Sequence, residues 1–175
     1  TVVFVMLAEI MIFVPSIARF RADFMLTRLK QAQIAALTQL AAEDMIMPEL
    51  EAELLKNAEV YNVVLRRDEV RQLVLSSPVP GEIHDTFDLR MTGPLELIRD
   101  AFACLLDPTN RVVRVIGYPV QDAGTLIEIT IETKPMRDAM VDYGLRILVL
   151  SALISVVTAF LLFLAVRRLL VLPIR

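Results

Sequence analysis

The chain has 175 residues, of which 56% are hydrophobic and 22% are charged, and its formal net charge is −3. Soluble domains contain about 45–50% apolar residues, so the apolar excess needs a location. The composition excludes intrinsic disorder and a collagen-like repeat. The single cysteine, Cys104, excludes an internal disulfide. The apolar excess also argues against a wholly soluble cytoplasmic enzyme.

The apolar excess lies in two blocks. Residues 147–166 contain no charge, and a helix of that length spans about 30 Å, the thickness of the hydrocarbon core of a bilayer. Residues 1–18 contain Glu9 as their only charged residue. We expect transmembrane helices at 1–20, truncated at its N-terminus, and at 145–168. The alternatives are a signal peptide for the first block and a buried core helix for the second.

The charge distribution places the segment between the two spans outside the cytoplasm. Residues 19–146 carry 15 basic and 20 acidic residues, whereas the short tail after the second span carries three arginines and no acid. Short basic loops stay on the cytoplasmic side, and long translocated segments largely escape this rule. Four basic residues soon after the first span argue the other way. We expect residues 21–144 outside and both termini inside.

The middle segment predicts an α+β domain of mixed helices and strands. Apolar residues at helical spacing predict a helix over 22–57, which Pro48 breaks or kinks. We read the acidic residues between 43 and 59 as a solvated helix face, with a cation site as the minority alternative. Runs rich in β-branched residues predict a hairpin and three further strands: Tyr61–Arg66, Val70–Ser76, Thr86–Arg90, Arg111–Val120 and Leu126–Glu132.

Two further helices complete the predicted order. Pro94 opens an amphipathic helix that ends at Asp107-Pro108, and a last helix begins near Pro135. Nothing after Pro135 breaks that helix except Gly144, so it can continue into the second span. The expected fold is an antiparallel sheet of about five strands with a long N-terminal helix, flanked by two transmembrane helices.

The sequence offers little catalytic chemistry. Its single histidine, His84, has no companion ligands at metal-binding spacing, and Cys104 fits a small buried hydrophobe. No nucleotide-binding loop is visible, and the domain is too acidic to suggest nucleic acid. We therefore expect no catalytic site, no metal and no cofactor within this stretch.

The membrane segments carry a second pattern. Ser151, Ser155 and Ala159 recur every four residues, a spacing of small residues that lets helices approach closely in lipid. Ordinary composition is the alternative explanation. Glu9 lies in the first span, where a carboxylate needs a partner. The available hydroxyl partners are Ser151, Ser155 and Thr158.

Short motifs at both ends of the chain resemble the N-terminal sensory region of a bacterial two-component sensor histidine kinase. The tail RRLLVLPIR (Arg167–Arg175) looks like the start of a HAMP linker, placed at 169–175, and FVPSIARFR (Phe13–Arg21) looks like the exit of a first span. The middle, with LVLSSPVPGE, TFDLR and RVVRVIGYP, is similar to periplasmic PAS-like or Cache-like sensors. The resemblance covers most of the chain.

The resemblance implies a module that senses and transmits. In such proteins the kinase domains, which bind ATP and Mg, would lie after Arg175. These domains would interact with a cytoplasmic response regulator. The implied localisation is multi-pass in a bacterial inner membrane, among membrane lipids, with the sensor domain periplasmic. A Cache-type chemoreceptor or other HAMP-containing receptor is the alternative, and a structural membrane-anchored assembly module is a third.

Three sets of residues carry the implied roles. A periplasmic small ligand or protein is expected near the first set, and the second set would transmit the signal. The third set would form one face of a homodimer. The sets are Tyr61, Arg66, Arg114 and Tyr118 for ligand binding; Glu9, Gly144, Ser151, Ser155, Ala159 and Pro173 for transmission; and Leu29, Leu37 and Leu40 for the dimer. Surface charge balancing the acidic residues is the alternative role for the arginines.

Overall fold

A computed structural model describes residues 2–41, 47–67, 70–121 and 123–168. It has an α+β fold, as predicted, with four helices and one five-stranded sheet. The helices are α1 (Val2–Ala41), α2 (Pro48–Ala58), α3 (Pro94–Leu106) and α4 (Thr133–Val166), and the strands are β1 (Asn62–Arg67), β2 (Val70–Ser76), β3 (Ile83–Asp88), β4 (Val112–Gly117) and β5 (Leu126–Glu132). The predicted linker at 169–175, with Pro173, lies outside the described residues.

The sheet is mixed, whereas the sequence predicted an antiparallel one. Its strand order is β2-β1-β5-β4-β3, and the predicted hairpin of β1 and β2 is confirmed. Three of the four neighbouring pairs are antiparallel, but β3 and β4 run parallel. The reason is that α3 connects these two strands, and a helical crossover returns the chain in the same direction. β3 also lies three residues earlier than predicted at its start.

One face of the sheet forms the core, and the C-terminal half of α1 packs across it. Ile127, Ile129 and Ile131 of β5 are all buried on this face, and Thr130 on the opposite face of the strand is buried as well. Gln33 of α1 fastens the helix to the end of β4. Its side-chain amide donates to the carbonyl oxygen of Val120 at 2.7 Å and accepts from the Val120 amide at 2.7 Å.

The N-terminal half of α1 packs against α4. Phe20 stacks on Tyr143 with ring centroids 4.3 Å apart, and Gly144 lies beside the Phe13 ring. Both helices are long and apolar enough to cross a membrane. Only 11% of the apolar window of the first and none of that of the second are buried in the protein. Something other than the protein itself must therefore cover these apolar surfaces. A buried core helix, in contrast, is already covered by its own protein.

The predicted dimer face needs one correction. Leu29 is buried in the core of its own chain, where its side chain packs next to Gly117, so it presents no surface to a second copy. Leu37 and Leu40 are half-buried and pack against the same core. The helical spacing of these leucines reflects contact with the sheet.

Candidate functional site

A cavity of about 460 Å³ lies where α1, α2 and the start of α4 meet the sheet. We call it the junction cavity, because it borders the point at which β5 becomes α4. Its size falls within the range of small-molecule sites, about 300–1,000 Å³. It is lined by Phe24, Arg28, Ala52, Leu55, Lys56, Glu59, Val60, Tyr61, Ser77, Ile131, Glu132 and Pro135.

A tight reversal at the end of α2 shapes one wall of this cavity. Glu59 adopts a left-handed conformation, with φ 52° and ψ 45°, directly after the last helical residue. The amide of Val60 then donates to the carbonyl oxygen of Leu55 at 3.1 Å, which satisfies an end of the helix. The turn leads straight into β1 and so sets Tyr61 against the sheet edge of the cavity.

Tyr61 and Glu132 form a hydrogen bond one residue before the start of α4. The phenol of Tyr61 donates to Oε1 of Glu132 at 2.6 Å, and the Tyr61 amide donates to the Thr130 carbonyl oxygen at 2.8 Å. The hydrogen bond to Glu132, together with burial, raises the pKa of Tyr61 above its ordinary value. Tyr61 therefore acts as a neutral donor that joins the beginning of β1 to the last residue of β5.

Arg28 forms the opposite rim of the cavity. Its guanidinium pairs with the carboxylate of Glu59, donates to Gln31 Oε1 at 3.1 Å, and lies 4.8 Å from the centroid of the Phe24 ring. These contacts hold the planar guanidinium at the mouth while its stem lies along apolar surface. The ion pair connects α1 with the end of α2, so an occupant would meet both helices.

The chemistry of the junction cavity suits binding. Leu55, Val60 and Ile131 supply an apolar floor, and Ser77, whose hydroxyl donates to the Tyr61 carbonyl oxygen at 3.1 Å, adds a polar group to the rim. An apolar floor with a few placed polar groups is typical of ligand sites. Within the part of the chain that the structure describes, no group of three or more His, Cys, Asp or Glu side chains is placed to hold a metal ion.

Of the four residues predicted to bind ligand, the structure places only Tyr61 at this cavity. Arg66 and Arg114 lie on the other face of the sheet, because their neighbours Leu65 and Val113 face the core and side chains alternate. Arg114 approaches Glu128 at 3.9 Å. Tyr118 is exposed after β4. These three residues are therefore not brought together with Tyr61.

Arg28, Glu59 and Phe24 were not predicted as site residues from the sequence. Arg28 and Phe24 belong to one helical turn of α1, and Glu59 belongs to the acidic stretch whose pattern predicts a solvated helix face. Their pairing depends on how α2 folds back on α1 after the break near Pro48. The helix break that the sequence predicts near Pro48 was a usable signal. A helix that reverses at such a break forms a helix hairpin, which can bring basic residues of one helix close to acidic residues of the other.

In the two apolar helices, Glu9 meets the partners that the sequence suggested. Ser151 Oγ donates to Glu9 Oε1 at 2.8 Å, and Ser155 Oγ does so at 3.3 Å. Thr158, although it lies within the described residues, makes no hydrogen bond to Glu9, and Ala159 is exposed. The small residues at 151 and 155 thus face α1, while the stripe does not continue to 159.

Comparison with protein-family models, curated proteins and solved structures finds no match to this chain.

Proposed function

We propose that this chain is the sensory and transmembrane module of a signalling receptor, of the kind that precedes a HAMP linker in bacterial sensor histidine kinases. The observation that carries the proposal is the position of the junction cavity. Two of its lining residues, Glu132 and Pro135, bracket the first residues of α4. α4 is 34 residues long, from Thr133 to Val166, and includes the more apolar of the two candidate membrane spans.

A mechanism follows from this placement. A ligand in the junction cavity would contact α1, α2 and the β5–α4 junction together, and would compete with the Tyr61–Glu132 hydrogen bond. A change there reaches α4 without passing through a flexible loop, because Thr133 follows the last residue of β5 directly. Helix shifts of about 1–2 Å are established switching movements.

The order of the elements supports the same proposal. A long N-terminal helix, a hairpin, a helix, further strands and an exit helix follow one another, as expected for a PAS-like or Cache-like periplasmic sensor. We place the domain 21–144 in the periplasm, with α1 and α4 crossing a bacterial inner membrane. A homodimer would let the helices of two copies shift against each other, and a response regulator would be reached through the kinase domains.

A chimera tests this proposal. The chain is joined to the HAMP, phosphoacceptor and ATP-binding domains of a bacterial sensor kinase, and phosphorylation of its response regulator is measured in membranes. Ala52→Trp places an indole ring at the wall of the junction cavity and is expected to change the steady output by about threefold or more. Leu95→Trp adds the same side chain at an exposed position of α3 and serves as the control. Equal outputs from the two variants would contradict the proposal.

A further inference from the structure

A second cavity, of about 340 Å³, lies between α1, α3, the parallel strands β3 and β4, and the first turn of α4. We call it the Arg21 cavity. It shares no lining residue with the junction cavity. Its lining residues are Arg21, Asp85, Thr86, Phe87, Arg99, Asp100, Ala103, Cys104, Asp107, Thr109, Arg111, Val113, Thr133 and Met136.

Arg21 is a buried cation, and no ion pair joins it to a carboxylate among the described residues. Its side chain is 1% exposed, and its Nε atom has no hydrogen-bond partner among the described residues. The guanidinium lies over the Phe87 ring, 4.3 Å from the centroid, so one face is covered by an aromatic ring. A buried charge is normally paired, because leaving water costs it far more than a neutral group.

Two of the three acidic residues that line the Arg21 cavity are paired with other arginines. Asp100 attracts Arg21 electrostatically, but its carboxylate accepts hydrogen bonds from Arg99 at 3.0 Å. Asp107 is paired with Arg111 at 2.8 Å. Asp85 is exposed on β3, towards solvent. Asp100 is shared between the exposed Arg99 and the buried Arg21, so it offsets the charge of Arg21 only in part.

Cys104 does not neutralise Arg21 either. The two side chains are in contact, and Arg21 favours the thiolate form, but burial outweighs this effect and raises the pKa of the Cys104 thiol. A thiol with a raised pKa is uncharged at neutral pH. Arg21 thus keeps, at the wall of the cavity, a buried Nε donor that no described residue satisfies.

We propose that the Arg21 cavity binds the oxyanion of a small carboxylate or phosphate group, held by the guanidinium of Arg21. A guanidinium offers parallel N–H donors that match two oxygens of such a group. The bound anion would lie between α1 and α3, beside the first turn of α4. Arg21 directly follows the first apolar segment, so the phosphate group can come from solution or from a lipid headgroup. This proposal does not depend on the sensory role.

Cys104 provides the probe, because it is the single cysteine of the chain and lines the cavity. The full chain in neutral detergent micelles is alkylated with N-ethylmaleimide, an uncharged reagent, and the rate is followed by mass. Inorganic phosphate or succinate is expected to slow alkylation by about threefold or more relative to sodium chloride of equal ionic strength. If neither anion slows alkylation, and the lipid composition of nanodiscs does not change the rate either, the proposal is overturned.

The lipid source is tested in nanodiscs without added phosphate. Slower alkylation in phosphatidylglycerol than in zwitterionic phosphatidylcholine, with no effect of free anions in micelles, assigns the site to the phosphate of an anionic lipid headgroup. An effect of free phosphate or succinate in micelles assigns it to a soluble anion. Equal rates under all these conditions overturn the proposal.

Arg21→Met tests the residue itself, since it keeps the length of the side chain and removes the charge. Protection of Cys104 is expected to disappear in this variant and to persist in Arg99→Gln, which changes an exposed arginine at the rim. If circular dichroism shows that Arg21→Met is unfolded, Arg21→Lys replaces it, and its protection is expected to need about tenfold more anion. Unchanged protection in the folded variant overturns the assignment to Arg21.

Discussion

At the residue scale, the hydrogen bond between Tyr61 and Glu132 ties the start of β1 to the end of β5. Tyr61→Phe removes one donor and leaves the ring in place. We expect a loss of about 1 kcal/mol in the free energy of unfolding, measured by thermal unfolding in detergent micelles. Tyr118→Phe is the matched control, because Tyr118 is 67% exposed and should change stability little. Equal losses in both variants would contradict the importance of this bond.

The same bond predicts a dependence on alkaline pH. The pKa of Tyr61 is raised in the folded chain above its ordinary value of 10.0, so the folded state holds the phenol proton more tightly than the unfolded state. The resulting stability is complete below pH 10 and is lost as the pH rises through the raised pKa. We expect the melting temperatures of wild type and Tyr61→Phe to converge above that pH. A constant difference across the range would contradict the assignment.

The hydroxyl groups around Glu9 make another prediction at this scale. Ser151→Ala removes the shorter hydrogen bond and should cost more stability than Ser155→Ala, with an upper value of about 1–2 kcal/mol. Thr158→Ala is the control, since no hydrogen bond joins Thr158 to Glu9 in the described part of the chain. Thermal unfolding in micelles measures all three. A loss in Thr158→Ala as large as in Ser151→Ala would remove the role given to Glu9.

Single residues were predictable from sequence where one simple rule applied. A carboxylate in an apolar helix needs a partner, and that rule led to Ser151 and Ser155. No such rule applied to the arginines of the sheet. Charge alone suggested Arg66 and Arg114, whereas the strand register decides on which face of the sheet each one lies. A shift of one residue along a strand moves a side chain to the opposite face.

At the element scale, two glycines at helix contacts make opposite predictions. A Cβ added to Gly144 of α4 would lie 3.4 Å from the Phe13 ring, in ordinary contact, so Gly144→Ala should stabilise the chain by about 1 kcal/mol through helix propensity. A Cβ added to Gly117 of β4 would lie 2.5 Å from Leu29 Cδ1. Because Leu29 is buried, Gly117→Ala should cost about 1–3 kcal/mol. Thermal unfolding measures both variants. A change in stability of the same sign in both would contradict this packing.

The elements themselves show what a sequence pattern can and cannot specify. The alternation of β5 and the turn between β1 and β2 are local signals, and both predicted the observed strands. The direction of β3 is a property of the chain path. Reading α3 as the crossover between two adjacent strands would have predicted the parallel pair, since a connection through a helix commonly joins parallel neighbours.

At the scale of the whole molecule, the two-span arrangement predicts that the domain and the end of α4 lie on opposite sides of a membrane. In a Cys104→Ser background, His84→Cys should react with a membrane-impermeant maleimide applied to spheroplasts. Arg168→Cys should react only after the membrane is permeabilised. Both positions are exposed, so accessibility within the protein does not decide the outcome. Labelling of position 168 from outside would contradict this arrangement.

The central claim is that α4 carries a change at the junction cavity to its far end as one continuous helix. The direct measurement is the response of the kinase chimera to Ala52→Trp when Gly-Gly-Gly is inserted after Tyr143. The insertion interrupts the helix between the sheet and the second apolar stretch. The account predicts that Ala52→Trp no longer changes phosphorylation, while the chimera still folds and inserts into membranes. A response equal to that of the uninterrupted chimera would contradict it.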